Sequence, residues 1–394
     1  MAWTTPQTVV ADSTELTAAL WNEQVRDNTL ALYAQSQYPY RNLLYNGAMQ
    51  VSQRGTSTAS ITTTGYYTAD RWQVVNATLG TWTQSVAADA PTAQGFRNSL
   101  KMLCTTADAS PAAGDVLTVQ QTLEGYDVQR VLKGTASAQT LRISFWVKSN
   151  QTGTYVVECA DYDNSRSTSQ SYTITASDTW EQKTITIPAD TTGTLNNDNG
   201  ASLGINFWLA AGSNYTSGTL ATVWGAQVSA NRAVGQTNLA AATNNYWQVT
   251  GVQLEAGSVA TPFEFLPYGD ELARCQRYYW HSYPSGDSPG KNYSGTAANL
   301  TGAIYALNSV DGSNQISGFS LPVTMRATPT LTFYSLNGTV GNTTWYPSFL
   351  STTYTNIVSG TSAATQHGGW VGTPEAGGGG GYYTAFHAVM SAEL

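Results

Sequence analysis

The segment LRISFWVKS alternates strictly, placing Leu141, Ile143, Phe145 and Val147 on one side of an extended chain and Arg142, Ser144, Trp146 and Lys148 on the other. A period of two sustained over nine residues suits a strand, because helical faces repeat every 3.6 residues. The segment SLGINFWLAAG repeats the scheme, with Leu203, Ile205, Phe207 and Leu209 opposite Gly204, Asn206 and Trp208. A third strand in TWEQKTITIP carries Ile185 and Ile187 on one face and ends at Pro188, which suits an edge or exit. Short strands at such spacing, separated by Gly, Asn, Asp and Ser clusters, predict a mainly β chain whose central unit, residues 41–268, is a two-sheet jelly-roll sandwich.

Composition agrees with that reading. Charged residues make up only 11% of the 394 residues, against about 25% in ordinary soluble proteins. Thr, Ser, Asn, Gln, Gly and Tyr take their place, which favours strands over long helices. The formal net charge of -8 argues against nucleic acid or an anionic membrane as partner, since both demand a Lys/Arg surplus. No stretch approaches the roughly 20 apolar residues of a membrane span, and MAWTTPQTVV lacks the features of a secretory leader. Cys104, Cys159 and Cys275 are widely separated without a CxxC pair, so buried free thiols are expected rather than disulfides or a zinc site.

The clearest helical signal lies in ADSTELTAALWNEQVRDNTLALYAQ. Asp12 and Glu15 have capping-box spacing, with Thr17 as a rival cap, and Ala18, Trp21, Val25, Asn28 and Leu32 fall along one seam. A lone helix of about 20 residues is marginal in water, so Trp21, Val25, Asn28 and Leu32 are expected to pack on copies of the chain or on a docking partner. Residues 269–394 open with a helical turn in GDELARCQRYYW, with Leu272, Cys275 and Tyr279 on one side, and continue as strands to YYTAFHAVMSAEL. A second, smaller β-sandwich is expected there.

Three sets of segments resemble virion proteins of tailed bacteriophages. MAWTTPQTVV with LTAALWNEQVRDNTLAL is similar to the attachment segment of phage fibres. RNLLYNGAMQVSQRGTS, YYTADRWQV and YWQVTGVQLEAGSVATPFEFLPYGDELARCQRYYW resemble the opening and closing of a carbohydrate-binding-module-like jelly roll. LPVTMRATPTLTF and the terminal MSAEL resemble the small β domain that follows it. The resemblance implies a homotrimeric virion fibre, assembled in the host cytoplasm. It implies residues 1–40 on a phage tail or capsid protein and the β domains facing outward. Tail fibres and capsid-attached head fibres share these segments, and the absence of a long repetitive shaft favours a compact appendage.

Catalytic constellations are sparse. His281, His367 and His387 form no HExxH pair, there is no GxSxG, and no cofactor or metal is expected. Asp161/Asp163 and Asp270/Glu271 are the available carboxylate pairs for a glycosidase, but both stand in turn-like contexts where Asp serves geometry. AGGGGGYY has no Lys-Ser/Thr behind it, so Gly377 to Gly381 read as a loop rather than a phosphate cradle. Sugar recognition needs flat aromatic faces and planar polar groups. Arg142, Trp146, Asn206 and Trp208 supply both, provided their strands are neighbours in one sheet. Otherwise the two Trp fill space under a loop or a subunit interface. Trp247, Val249 and Gln253 are expected on one face of the last strand of the unit. In the C-terminal unit Trp345, Tyr346, Tyr354, Trp370, Tyr382 and Tyr383, in or beside loop-like stretches, are candidates for receptor or intersubunit contacts. The expectation is thus a non-catalytic fibre adhering to a host-surface polysaccharide. Its alternatives are a mainly structural head fibre or decoration protein, and a polysaccharide depolymerase.

Overall fold

The computed structural model describes residues 21–27, 29, 40–284, 286–293, 302–307, 315–346, 355–358, 361–373 and 383–394. Thirteen strands build the first unit. They begin with β1 (Ser57–Ile61), β2 (Gly65–Tyr66), β3 (Gln73–Ala77), β4 (Thr81–Ala87), β5 (Ser99–Thr106) and β6 (Val116–Glu124). They continue with β7 (Leu141–Ser149), β8 (Gly153–Asp161), β9 (Arg166–Ile174), β10 (Glu181–Ile187), β11 (Ala201–Ala211), β12 (Gly225–Ala226) and β13 (Tyr246–Ala256). One sheet runs β1-β4-β5-β13-β7-β10 and the other β12-β9-β8-β11-β6-β3-β2. The chain crosses between sheets repeatedly, as from β7 to β8 and from β10 to β11, which defines a jelly-roll sandwich.

The alternating apolar faces meet in the middle. Leu141, Ile143, Phe145 and Val147 of β7 pack with Leu203, Ile205, Phe207 and Leu209 of β11 in one core, joined by Ile185 and Ile187. Phe145 and Phe207 stand edge to face at 5.1 Å. Each such side chain contributes about 1.5–3 kcal/mol on burial, so the core dictates which face of every strand turns inward.

Strand β13 departs from simple alternation. Trp247 and Val249 face the core, but a bulge at Gly251, with φ of 62°, brings Val252 and Leu254 inward after it. Gln253 therefore lies on the opposite face from Trp247, contrary to the shared face expected. A Cβ on Gly251 would sit 2.5 Å from the Phe96 ring, so both the backbone angle and the space demand glycine.

A nine-residue helix α1 (Tyr268–Gln276) leads into the second unit and buries Cys275. Its strands are β14 (Tyr279–His281), β15 (Ile304–Leu307), β16 (Gln315–Ser320), β17 (Thr330–Tyr334), β18 (Asn342–Tyr346), β19 (Thr355–Val358), β20 (Thr361–Thr365), β21 (Gly368–Thr373) and β22 (Tyr383–Ser391). The last strand organises this unit, pairing with β14, β15, β17 and β18, while β16, β21 and β20 form a separate three-stranded sheet. Ala385 through Met390 are all buried, since both faces of β22 are covered.

The chain terminus clasps the two units together. Arg71, wholly buried, donates to Glu393 and to the Thr122 carbonyl at 2.6 Å, and stacks 3.5 Å from the Tyr278 ring centroid. Arg54 donates to Glu393 at 3.0 Å and stacks 3.5 Å from the Tyr279 ring centroid. Arg326 binds the carbonyls of Asn199, Ala392 and Glu393, and Tyr66 donates to that of Leu394. The segments containing RNLLYNG, YTADRW, DELARCQRYYW and MSAEL thus converge at one junction.

Of the N-terminal seam, Asn22–Asp27 is helical, of the π type, and Trp21 and Val25 are exposed. Asn28 and Leu32 lie outside the described residues, as do Tyr354, Tyr382 and the glycine run 377–381.

Candidate functional site

The four residues proposed as one glycan site do not meet. Arg142 and Trp146 stand on β7 in the first sheet, Asn206 and Trp208 on β11 in the second. The reason is the core itself: the aliphatic faces of β7 and β11 are turned toward each other, so their opposite faces point away from each other to the two outer surfaces.

On the second sheet, Trp208 is 1% exposed. It lies in a small cluster with Val116, Val156 and Ala233, and Tyr215 packs against it. Beside it Glu158, wholly buried, accepts from Asn206 Nδ2 at 3.0 Å, from Trp208 Nε1 at 3.2 Å and from Arg232 in a fork at 2.8 and 2.9 Å. The Arg232 guanidinium in turn covers the Trp208 ring at 5.1 Å. Trp208 therefore fills space beneath a loop, and Glu158 is a carboxylate saturated by structural donors. Arg142 is similarly committed, donating to the Ser258 carbonyl at 2.8 Å and to Thr186.

The outer face of the first sheet is different around Trp146. Trp146 is half-buried and pairs in register with Gln182 of β10 and Thr250 of β13. The next row across the sheet is Lys148, Gln248 and Lys101. Trp180, one residue before β10, has the same parity as Gln182, and Tyr246 the same parity as Gln248. Three aromatic side chains on one face therefore frame two lysines and an amide. The Lys101 ammonium lies 4.4 Å from the Tyr246 ring centroid and that of Lys148 5.5 Å from Trp180.

Two carboxylates hold this frame in place. Asp89 accepts from Lys148 and, at 3.1 Å, from Trp180 Nε1. Burial pushes its carboxyl upward, but these donors outweigh burial and hold it below the usual carboxylate range. Asp178 accepts from the Tyr246 hydroxyl and from Ser177, and that hydrogen bonding likewise holds its carboxyl down. Trp180 and Tyr246 are thereby fixed before any ligand arrives. At the floor, Gln248 Oε1 and Thr250 Oγ1 are buried without a hydrogen-bond partner among the described residues.

Trp180, Tyr246, Lys101 and Lys148 were not singled out as binding residues from the sequence. Parity alone would have found Trp180, which stands opposite Ile185 and Ile187, and Tyr246, which precedes the core residue Trp247. The carboxylates that hold Lys148, Trp180 and Tyr246 come from the 88–98 and 175–180 loops and leave no pattern in the sequence.

Three of the four carboxylates considered for a glycosidase pair are engaged in structural contacts, and Asp270 is exposed. Asp161 takes Lys133 and Asn164, Asp163 takes Asn196 and Ser202, and Glu271 takes the Asn46 N–H at 2.7 Å. In the C-terminal unit, Trp345 and Tyr346 belong to β18, Trp370 to β21 and Tyr383 to β22, so these four stand in strands. Trp370 is half-buried. Among the described residues no group of three His, Cys, Asp or Glu is placed to hold a metal, and no helix is long and apolar enough to cross a membrane. Cys104, Cys159 and Cys275 are free and buried.

The class of fold these sheets define is the antiparallel jelly-roll sandwich. No protein-family model matches the chain, and no curated protein matches it. Among solved structures it is similar to the enzymatically active domain of bacteriophage CBA120 tailspike protein 4, at 14% identity and TM-score 0.30, over 56% of this chain and 22% of that one. It is also similar to TmCBM61 in complex with β-1,4-galactotriose, at 10% identity and TM-score 0.28, over 55% of this chain and 99% of that one. The family 11 carbohydrate-binding module of Clostridium thermocellum, in complex with a mixed-linked tetrasaccharide, aligns at 13% identity and TM-score 0.28. That likeness covers 52% of this chain and 99% of the module.

Proposed function

We propose that this chain is a non-catalytic fibre of a tailed-bacteriophage virion that adheres to a host-surface glycan through the outer face of its first jelly-roll sheet. The observation that carries the adhesive part is the frame of Trp146, Trp180 and Tyr246 around Lys101, Lys148 and Gln248, in which Trp180 and Tyr246 are held by Asp89 and Asp178. Sugar rings stack their C–H faces on indole and phenol rings, and their hydroxyls pair with ammonium and amide groups already in position. The outer face of a sheet suits a polymer lying across it, with weak single sites multiplied by the copies in a trimer. The phage assignment rests on the resemblance of the N-terminal, jelly-roll and terminal segments, now seen to include the residues that join the two units.

The test is binding of the full-length protein to host envelope polysaccharides on a glycan array. Trp146→Ala and Trp180→Ala are expected to weaken the positive signals at least tenfold, and a signal unchanged in both would defeat the assignment of the site. Shortened polysaccharide chains after incubation with the protein would overturn the non-catalytic reading. Electron microscopy of virions distinguishes tail from capsid attachment.

A further inference from the structure

A concavity lies between the jelly roll, helix α1 and the C-terminal unit. Its volume is about 720 Å³, within the range of small-molecule sites. The jelly roll contributes Tyr45, Tyr126, Asp127 and Arg130, helix α1 Arg274, and the C-terminal unit Val323 and Thr324. Tyr126 is 56% exposed, and Tyr40 at the rim 45%.

The charges here run against the rest of the molecule. Among the described residues three guanidinium groups, Arg130, Arg274 and Arg277, line the cleft with a single carboxylate, Asp127, in a chain of net charge -8. Arg277 is neutralised by a fork to Glu124 at 2.8 and 2.7 Å, and Asp127 accepts from the Tyr45 hydroxyl. Arg130 is tied to the carbonyls of Tyr40 and Arg41. Arg274 is held differently: its guanidinium stacks 4.2 Å from the Tyr45 ring centroid and 5.4 Å from that of Tyr40. Its polar contacts are long, 3.4 Å to the Asn42 carbonyl and 3.7 Å to Glu271. A guanidinium oriented by stacking, with its fork of donors only weakly engaged, matches the two oxygens of a carboxylate.

We propose that this cleft binds a uronic-acid residue of an acidic oligosaccharide, the carboxylate on Arg274 and the sugar ring against Tyr126. Neither residue belongs to the face around Trp146, so the two sites are separable by mutation. The neighbouring Asp127 accepts a ring hydroxyl, and the tyrosines exclude water from the ion pair.

Titration calorimetry of the full-length protein with a galacturonic-acid tetrasaccharide, and with the same oligomer after reduction of its carboxyl groups, tests the assignment. The acidic oligomer is expected to bind and the reduced one to bind at least tenfold more weakly. Arg274→Gln is expected to abolish that difference. Tyr126→Ala, at an exposed position that does not threaten folding, is expected to weaken the acidic ligand at least fivefold. Trp146→Ala with Trp180→Ala is expected to leave this binding unchanged. Absence of binding by the acidic oligomer, equal affinity for both oligomers, or acidic binding indifferent to Tyr126→Ala would overturn the proposal. Loss of binding in the Trp146/Trp180 variant alone would assign the ligand to the sheet face instead.

Discussion

Replacing Glu393 by Gln tests the claim that the penultimate residue holds the two units together. The substitution keeps the shape of the side chain and removes its charge. Arg71 is left wholly buried with the Thr122 carbonyl and the Tyr278 and Tyr45 rings, all uncharged, to compensate it. In the intact protein burial opposes the Arg71 charge, and the Glu393 carboxylate together with Tyr278, Tyr66 and Tyr45 more than offsets that opposition. Breaking a buried ion pair from one side costs about 3–5 kcal/mol, which is two to four powers of ten in the unfolding equilibrium constant at about 1.4 kcal/mol per decade. Arg54 also loses its 3.0 Å contact, but it keeps Asp70 at 3.7 Å and its stack on Tyr279, so its share is smaller. Equilibrium urea unfolding followed by tryptophan fluorescence measures the change, and the double variant Arg71→Met, Glu393→Gln is expected to recover most of the loss because it removes both charges. A single variant within about 0.5 kcal/mol of the wild type, or a double variant less stable than the single, would refute the reasoning.

Three further outcomes follow from the same geometry. Trp208→Ala is expected to destabilise by about 3–5 kcal/mol, seen in thermal unfolding, whereas Trp146→Ala, half-buried on the outer face, is expected to cost far less. Gly251→Ala, forced into φ of 62° and against Phe96, is expected to cost more than about 1 kcal/mol, and a stability equal to the wild type in chemical denaturation would argue against the bulge. Burial, and then the charge of His281, hold the buried His387 down to about 4 from its ordinary 6.5. Between those values the unfolded chain takes up a proton that the folded chain does not. Stability should therefore fall as pH drops from 6.5 toward 4, by up to roughly 3 kcal/mol. His387→Gln should flatten that slope in denaturant midpoints measured across the window.

The strand pattern was legible because alternation is a local property. Leu141 to Val147 and Leu203 to Leu209 face the core as their parity says, and Ile185 and Ile187 join them. Cys104, Cys159 and Cys275 are free and buried, as their spacing suggests. Parity also held the clue to Trp180 and Tyr246. It failed at Gln253, where one extra residue at a glycine bulge inverted the faces of the rest of β13.

What the sequence determined by itself, then, is which side of each strand is apolar, and hence that the central unit is a sandwich with aromatic and polar residues on its outer surfaces. It could not determine which outer surface. LRISFWVKS and SLGINFWLAAG carry the same pattern, and the pattern is equally satisfied by strands side by side in one sheet or facing each other across a core. Only the tertiary structure chose the second arrangement, packing Phe145 on Phe207 and sending Trp146 and Trp208 in opposite directions. The same long-range closure seals Trp208 under Arg232 and leaves Trp146 framed by Trp180 and Tyr246. Burial preference is written residue by residue, whereas adjacency is decided by contacts between residues far apart in the chain.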